Sequence, residues 1–376
     1  MTTTTSAVLT APESFEVREF PLPAIGEDDG LLRMELCGVC GSDVLHWGGH
    51  SAVSRNLPAI LGHEIVGRIE QAGQNAAKRW GVAVGDRVIV EASFGCGLCD
   101  LCLRGSYQMC AAGQGYGGRI SASAGPHLWG AFGQHLYLPP RARVHRIGDA
   151  IAPEVGVVIG AVLANGVRWV HTIGGAGIGD TVVVFGPGPQ GLAATIAAHA
   201  AGAERIIVVG LTGDRARLAF ACDCGATDTL TFDQHTVGAI TELTGGRLAD
   251  VVIDVTGSAN SPAVAAEIVR PLGTFVMAGS TAAASVELPW NELVRKEVRA
   301  QGVNSHDQAA VRAAIALASS GRYPLERMVT HRFPLGSAGD ALQLIRSARS
   351  SDGAIKAVID PFDQGDQQPD RRAPAG

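Results

Sequence analysis

No apolar run in the 376 residues has the length to span a bilayer. The nearest, residues 155–163, is too short and is followed by Asn165 and Arg168. Basic charge is not in excess either. Thirty Lys and Arg stand against 36 Asp and Glu, a formal charge of −6, so nothing suggests a nucleic-acid surface. The opening residues 1–6 lack the basic region and apolar core of a signal peptide, which makes a cytoplasmic location the expectation. Charged residues are only 18% and apolar ones 46%, a globular balance. The length allows two domains, each with its own core. These absences leave a small molecule as the expected partner, with no membrane and no nucleic acid.

The eight cysteines are unevenly spread. Cys37 and Cys40 form one pair, Cys222 and Cys224 another, and four lie between Cys96 and Cys110. Such clustering in a cytosolic chain points to metal before disulfides. Cys96, Cys99, Cys102 and Cys110 give the spacing C-x2-C-x2-C-x7-C. Four thiolates make a closed tetrahedral zinc site that fixes a loop and does no chemistry. Free thiols and an iron–sulfur cluster are the alternatives, and the spacing departs from the common ferredoxin runs.

The stretch from Thr181 to Ala201 organises the rest of the chain. Residues 182–185 are apolar and mostly β-branched, as in a buried parallel strand. Gly186, Gly188 and Gly191 follow, with Pro189 and Gln190 between them, and then an alanine-rich helical run. Strand, glycine turn and helix are the context a dinucleotide fingerprint requires. The glycines allow a tight turn, close approach of a pyrophosphate, and close helix–strand packing. Phosphates would sit at the helix N-terminus, where free N–H groups favour negative charge.

Before residue 152 the chain reads as short strands broken by Gly and Pro, near 16–20, 31–36, 62–71, 85–91 and 133–138, which suggests a partly open barrel. Beyond it, strands near 182–185, 205–209, 229, 251–255, 274–278 and 299–303 alternate with helices near 190–201, 214–222, after 236 and 259–269. That alternation predicts a doubly wound parallel sheet. A helix at 308–319 and strands at 329–333 and 354–360 follow. The fold class is therefore α/β, a Rossmann sheet with a β-rich, barrel-like partner.

A second metal constellation lies in residues 38–43, Gly-Val-Cys40-Gly-Ser42-Asp43, and 61–64, Leu-Gly-His63-Glu64. A thiolate and an imidazole come from separate segments, and catalytic zinc wants about three protein ligands and one open position. With the GVCGSD and GHE motifs, Gly85-Asp86, the cysteine lobe and GPGPQG in this order, the chain resembles the medium-chain, zinc-dependent alcohol dehydrogenase family from about residue 7 to 361. The resemblance implies a catalytic domain (1–160 and 304–362, with the zinc lobe at 94–112) around an inserted Rossmann domain (161–303), and an active site in the cleft between them. Residues 363–376, polar with two prolines, should form a disordered tail. It implies reversible oxidation of an alcohol with hydride transfer to NAD or NADP, two zinc ions per chain, and a homodimer or homotetramer. Cys40 and His63 are then zinc ligands, and Ser42 accepts the substrate hydroxyl proton.

This chain departs from the family pattern in three places. Where the family often carries the outer histidine of a proton relay this chain has Leu45, and the histidine is His46, one step later; in an extended segment one step reverses the side chain, so the relay's outer member stays open and a plain surface position is the other role for His46. Ala161 occupies the place where many relatives carry a third zinc ligand, so Glu64 is the expected third ligand, the other role open to it being a carboxylate one layer out. The second Rossmann strand ends in Gly210 where NAD enzymes carry an acid; Arg215 would suit a 2′-phosphate, while Asp214 would suit the ribose, and NAD against NADP stays open. Asn165, Thr256, Gly257, Gly279 and Ser280 are expected beside the nicotinamide half. Trp47 and Trp129 fall in segments that wall the cleft in relatives. Two indoles there favour an apolar or cyclic secondary alcohol over a polyol, and packing is the other role open to them. Other readings are a polyol or sugar dehydrogenase, a zinc-independent reductase on the same fold, and a nucleotide-binding protein with weak turnover.

Overall fold

The computed structural model describes residues 2–281, 285–347 and 353–363. All of the expected tail except Asp363 lies outside them. Among the described residues two compact units emerge: one built from both chain ends, up to residue 161 and again from 325, and one lying mainly between residues 162 and 324.

The first unit is built around the strand Gly30–Gly38. It pairs antiparallel with Glu64–Ala72 on one side. On the other it meets His135–Leu138 near its start and Lys356–Asp360 near its end. Arg87–Val90 and Val144–Arg146 extend this seven-stranded sheet at one edge, and Val329–Pro334 at the other. A separate three-stranded sheet pairs Thr3–Ala11 with Ser14–Pro21 and Ala59–Ile60. Leu32, Met34, Ile65, Ile69, Val88 and Phe132 fill the core. At the turn before Arg87–Val90, Gly85 takes φ +91°, and the Asp86 carboxylate accepts the Ala83 N–H at 2.8 Å. The unit is closed by chain from both ends. The return begins at Leu325, later than the expected residue 304. The intervening helix Gln308–Ser319 belongs to the second unit, where it is capped by Asp307 and buries Ala310, Val311 and Ala314.

The second unit carries six parallel strands, in the order Asp228–Thr231, Arg205–Gly210, Thr181–Phe185, Ala249–Asp254, Val269–Met277 and Arg299–Gly302. Chain order runs outward in both directions from Thr181–Phe185, a topological switch point. Val183, Phe185, Ile207, Val252 and Phe275 are fully buried on the sheet, which explains why these strands read as continuous apolar runs.

The expectation of no membrane-length apolar run is corrected. Residues Pro153–Ile173 form one helical stretch of 21 residues, apolar and long enough by composition, but 72% of its most apolar window is buried inside the protein. It outruns 155–163 because its polar residues find protein partners. Arg168 pairs with Asp307 at 3.1 Å, and the Asn165 amide donates to Gln190 at 3.2 Å. Two π-helical turns, Ile159–Leu163 and Arg168–Ile173, interrupt it.

Candidate active site

In the first unit the strand Gly30–Gly38 ends two residues before Cys40, the N-cap of the short helix Gly41–Trp47. Asp43 lies in the first turn of that helix. Its carboxylate accepts the Cys40 N–H at 2.9 Å and the Gly62 N–H at 3.3 Å, and lies 3.3 Å from His63 Nδ1. One fully buried carboxylate thus joins the segments carrying Cys40 and His63. Burial disfavours the His63 imidazolium, yet Asp43 and the Cys40 sulfur outweigh it and hold His63 well above its ordinary value. Ser42 Oγ sits 3.3 Å from His63 Nε2. Cys40, Ser42 and His63 are therefore together, with Asp43 fixing the ring.

The expectation for His46 rested on an extended segment, and the segment is helical. Ser42 and His46 are four residues apart and share a helix face. Leu45 is the exposed one, whereas His46 is half-buried and pairs through Nδ1 with Ser51 Oγ at 2.7 Å. Burial holds His46 below its ordinary value, opposed by Asp43 and reinforced by His63 and Arg119.

Glu64 is not gathered with Cys40 and His63. Its Oε1 accepts from Lys356 Nζ at 2.8 Å, and Oε2 lies 2.6 Å from the same nitrogen. Both residues are buried. Among the described residues, the one group of three or more His, Cys, Asp or Glu side chains close enough to share an ion is the four-cysteine lobe.

In that lobe the four sulfur atoms lie within 4.8 Å of one another. The N–H groups of Leu98 (3.5 Å) and Cys99 (3.4 Å) point at Cys96 Sγ and bring its pKa down to about 6. Burial pushes Cys102 up to about 11. The lobe is pinned to the sheet by Tyr107, whose hydroxyl donates to buried Glu91 while the Arg143 guanidinium covers its ring at 3.4 Å. Glu91 also pairs with His145 at 2.7 Å. All eight cysteines are free of disulfides.

In the second unit the fingerprint glycines differ in function. Gly186 takes φ +101°. A Cβ on Gly191 would overlap the Gly186 carbonyl, whereas one on Gly188, the N-cap of Pro189–Ala201, would meet open space. Gln190 receives the Asn165 amide, and Asn165 in turn pairs with buried His306 at 3.1 Å. Asp254 accepts from Thr256 Oγ1 and from Ser261 Oγ, each at 2.6 Å. It thereby shapes the loop at Gly257, which touches the Gly279-Ser280 backbone so closely that a Cβ on either glycine would overlap. At the end of Arg205–Gly210, buried Asp214 turns inward. It accepts the Leu211 N–H at 2.8 Å and pairs with Arg217 at 3.0 Å. Arg215 opens the helix Arg215–Asp223 and is exposed.

Residues 26–149 match the Alcohol dehydrogenase GroES-like domain family, and residues 189–320 the Zinc-binding dehydrogenase family. A probable alcohol dehydrogenase of Mycobacterium tuberculosis is 40% identical over 94% of this chain and 97% of its own. The chain belongs to the medium-chain, zinc-dependent dehydrogenases. An erythritol/L-threitol dehydrogenase of Mycolicibacterium smegmatis is 30% identical over 92% of this dehydrogenase and 95% of its own length. An alcohol dehydrogenase structure from Thermotoga maritima superposes with a TM-score of 0.86 at 27% identity, covering 96% of this chain and 99% of that one.

For this dehydrogenase the donor chemistry at Cys40 and His63 suits zinc. A thiolate and an imidazole converge, and Asp43 on Nδ1 leaves Nε2 as the outward-facing nitrogen. Ala161, buried within a π-helical turn, offers no donor. The two indoles are core residues of their unit. Trp47 is 5% exposed under the Arg346 guanidinium, and Trp129 is 8% exposed, donates to Ala124 and meets Tyr137 edge-on. They give no ground for an apolar cleft wall. Asp43, Lys356, Asp254 and His306 received no role from sequence. Asp43 stood inside a quoted motif, whereas Lys356 carries no local signal at all.

Proposed function

We propose that this dehydrogenase interconverts a secondary alcohol and its ketone, with hydride passing to or from NAD(P) and zinc held at Cys40 and His63. The observation behind this reading is the meeting of Cys40, Ser42 and His63 around buried Asp43. When bound, zinc supplies Lewis acidity toward an alcohol oxygen, and nicotinamide accepts the hydride. Ser42 receives the substrate hydroxyl proton as it gives up its own, and His46, one turn along the same helix face, is the outer station toward water. Asp43 keeps His63 in one ring orientation. Gly186 to Gly191 would hold the dinucleotide, and the open space at Gly188 suits the approach of its pyrophosphate. With Asp214 engaged by Arg217, Arg215 is free to meet a 2′-phosphate, so NADP is accepted at least as well as NAD. A second zinc occupies the four-cysteine lobe, and the enzyme works in the cytoplasm as a homodimer or homotetramer.

A polyol is the second reading of the substrate. The burial of Trp47 and Trp129 removes the residue-level reason for an apolar one. Nicotinamide absorbance, followed with cyclic secondary alcohols beside tetritols and hexitols, decides between them. No absorbance change with any alcohol or ketone would point instead to nucleotide binding without turnover.

A further inference from the structure

Residues 115–119, Gly-Tyr-Gly-Gly-Arg, run past His63 in the first unit. Gly117 packs on the imidazole, where a Cβ would stand 3.1 Å from Nδ1, and Gly118 packs on Val53 and Leu61. The Asn56 amide ties this backbone down, donating to the Gly118 carbonyl at 3.2 Å and to the Arg119 carbonyl at 3.0 Å. Arg119 thus leaves the chain at a fixed point, two residues beyond the contact with His63. Its side chain folds back over Gly115, where a Cβ would lie 3.0 Å from Cδ and 3.4 Å from Nε. Among the described residues no carboxylate pairs with the guanidinium. The residue is exposed, yet the protein packed around it strips part of its hydration and lowers it from its ordinary value. His46, held down first by burial, also feels the Arg119 charge. The acid of this region, Asp43, is buried and engaged by Cys40, Gly62 and His63. A cation short of water and without a counter-ion is costly, and an anion arriving from solution relieves that cost.

We propose that Arg119 is a specificity-determining residue that binds an anionic group of the substrate, so that the alcohol oxidised here carries a carboxylate or a phosphate. This rests on the reading that the substrate hydroxyl meets Ser42, which lies 3.3 Å from His63 Nε2. Ser42 shares a helix face with His46, and Arg119 acts on His46, so hydroxyl and anion are received on one side of the first unit. The planar fork of a guanidinium takes two oxygens of either anion at once. Two anchors present the alcohol carbon in one orientation, whereas a neutral alcohol or polyol has only the hydroxyl. The chain carries a formal charge of −6, so it does not gather anions as a whole and the attraction is local to this residue.

The test is steady-state kinetics of the full-length enzyme on matched pairs, read by nicotinamide absorbance. One pair is 3-hydroxybutyrate and its neutral amide; the other is sorbitol 6-phosphate and sorbitol. The charged member of at least one pair should have a kcat/KM about tenfold or more above its neutral partner, the scale of one charge-assisted contact. The pair that shows the preference separates carboxylate from phosphate. Arg119→Gln should erase the ratio, chiefly through KM, Arg119→Lys should keep part of it, and Arg119→Glu should invert it. Added salt should shrink the ratio in wild type and leave Arg119→Gln flat, which a loss of packing alone would not do. The salt series on wild type and the Arg119→Lys variant keep the test decisive where Arg119→Gln fails to fold. The proposal is overturned if turnover is confined to neutral alcohols, if charged and neutral partners react alike, or if Arg119→Gln weakens NADH or NADPH binding and leaves the ratio unchanged. Those results leave the dehydrogenase reading standing. No turnover of any alcohol or ketone sinks both.

Discussion

Replacing Cys99 by Ser removes one of four sulfur atoms that converge within 4.8 Å. The remaining three thiols cannot close a tetrahedron, so zinc content should fall by one ion per chain. The stability lost can be bounded from the loop the metal ties. Cys96 and Cys110 delimit a loop of about 15 residues, and closing one of that length is worth roughly 3 kcal/mol. For a unit of this size about 2–4 °C follows each kcal/mol, so the melting temperature should drop by about 6–12 °C. The effect should stay local. Tyr107 remains anchored by Glu91 and Arg143, and Phe94 still packs on Tyr116 with ring centroids 5.5 Å apart. New protease cleavage should therefore fall between residues 96 and 110, where Leu98 and Leu103 are already exposed. Metal analysis, calorimetry and limited proteolysis of wild type and Cys99→Ser measure all three. Unchanged zinc and melting temperature would refute a metal-closed lobe. Visible absorption with bound iron and sulfide would replace zinc by a cluster.

Gly191→Val should abolish nicotinamide binding, since a side chain there overlaps the Gly186 carbonyl; fluorescence titration with NADH and NADPH measures this, while lobe zinc stays intact. Arg215→Ala should weaken NADPH by about tenfold and leave NADH nearly unchanged, as expected for one lost phosphate pair; equal effects on both would mean the 2′ position is read elsewhere. Placing an acid at Gly210 would not test cofactor choice cleanly, because a Cβ there meets Pro187 at 2.9 Å and Asp214 at 3.1 Å. Ser42→Ala should cut turnover by about a hundredfold, the scale of a lost proton transfer, with cofactor dissociation constants unchanged; near-normal turnover excludes Ser42 from that role.

Local patterns were legible in sequence and distant partnerships were not. The expected helix 190–201 appears as Pro189–Ala201, because the glycine turn and the alanine run both act over a few residues. The cysteine spacing likewise announces its own cluster. The helix Gly41–Trp47 was missed because a cap creates it: Asp43 reaches back to the Cys40 N–H, and seven residues are too few to display a helical period. Reading that segment as extended then misdirected His46. The strand Thr3–Ala11 escaped notice because its threonines look like a polar terminus, although Thr4 and Ser6 are buried. Ligand counting selected Glu64 for its nearness to His63. The competing ammonium stands 292 residues further on, beyond the reach of any motif.

That separation also bears on how the protein is made. The second unit is almost contiguous in the chain, from residue 162 to 324. It can therefore fold as soon as it has cleared the ribosome, as contiguous domains generally do. The first unit must wait. Until the strand Lys356–Asp360 emerges, the strand Gly30–Gly38 lacks one neighbour and Glu64 lacks its counter-ion. A nascent chain that has not yet reached residue 356 therefore carries an unfinished first unit, with an open strand edge and a buried carboxylate without its counter-ion. Chaperone demand should be concentrated in that interval, and truncations that stop short of residue 356 should leave the second unit folded and the first one not.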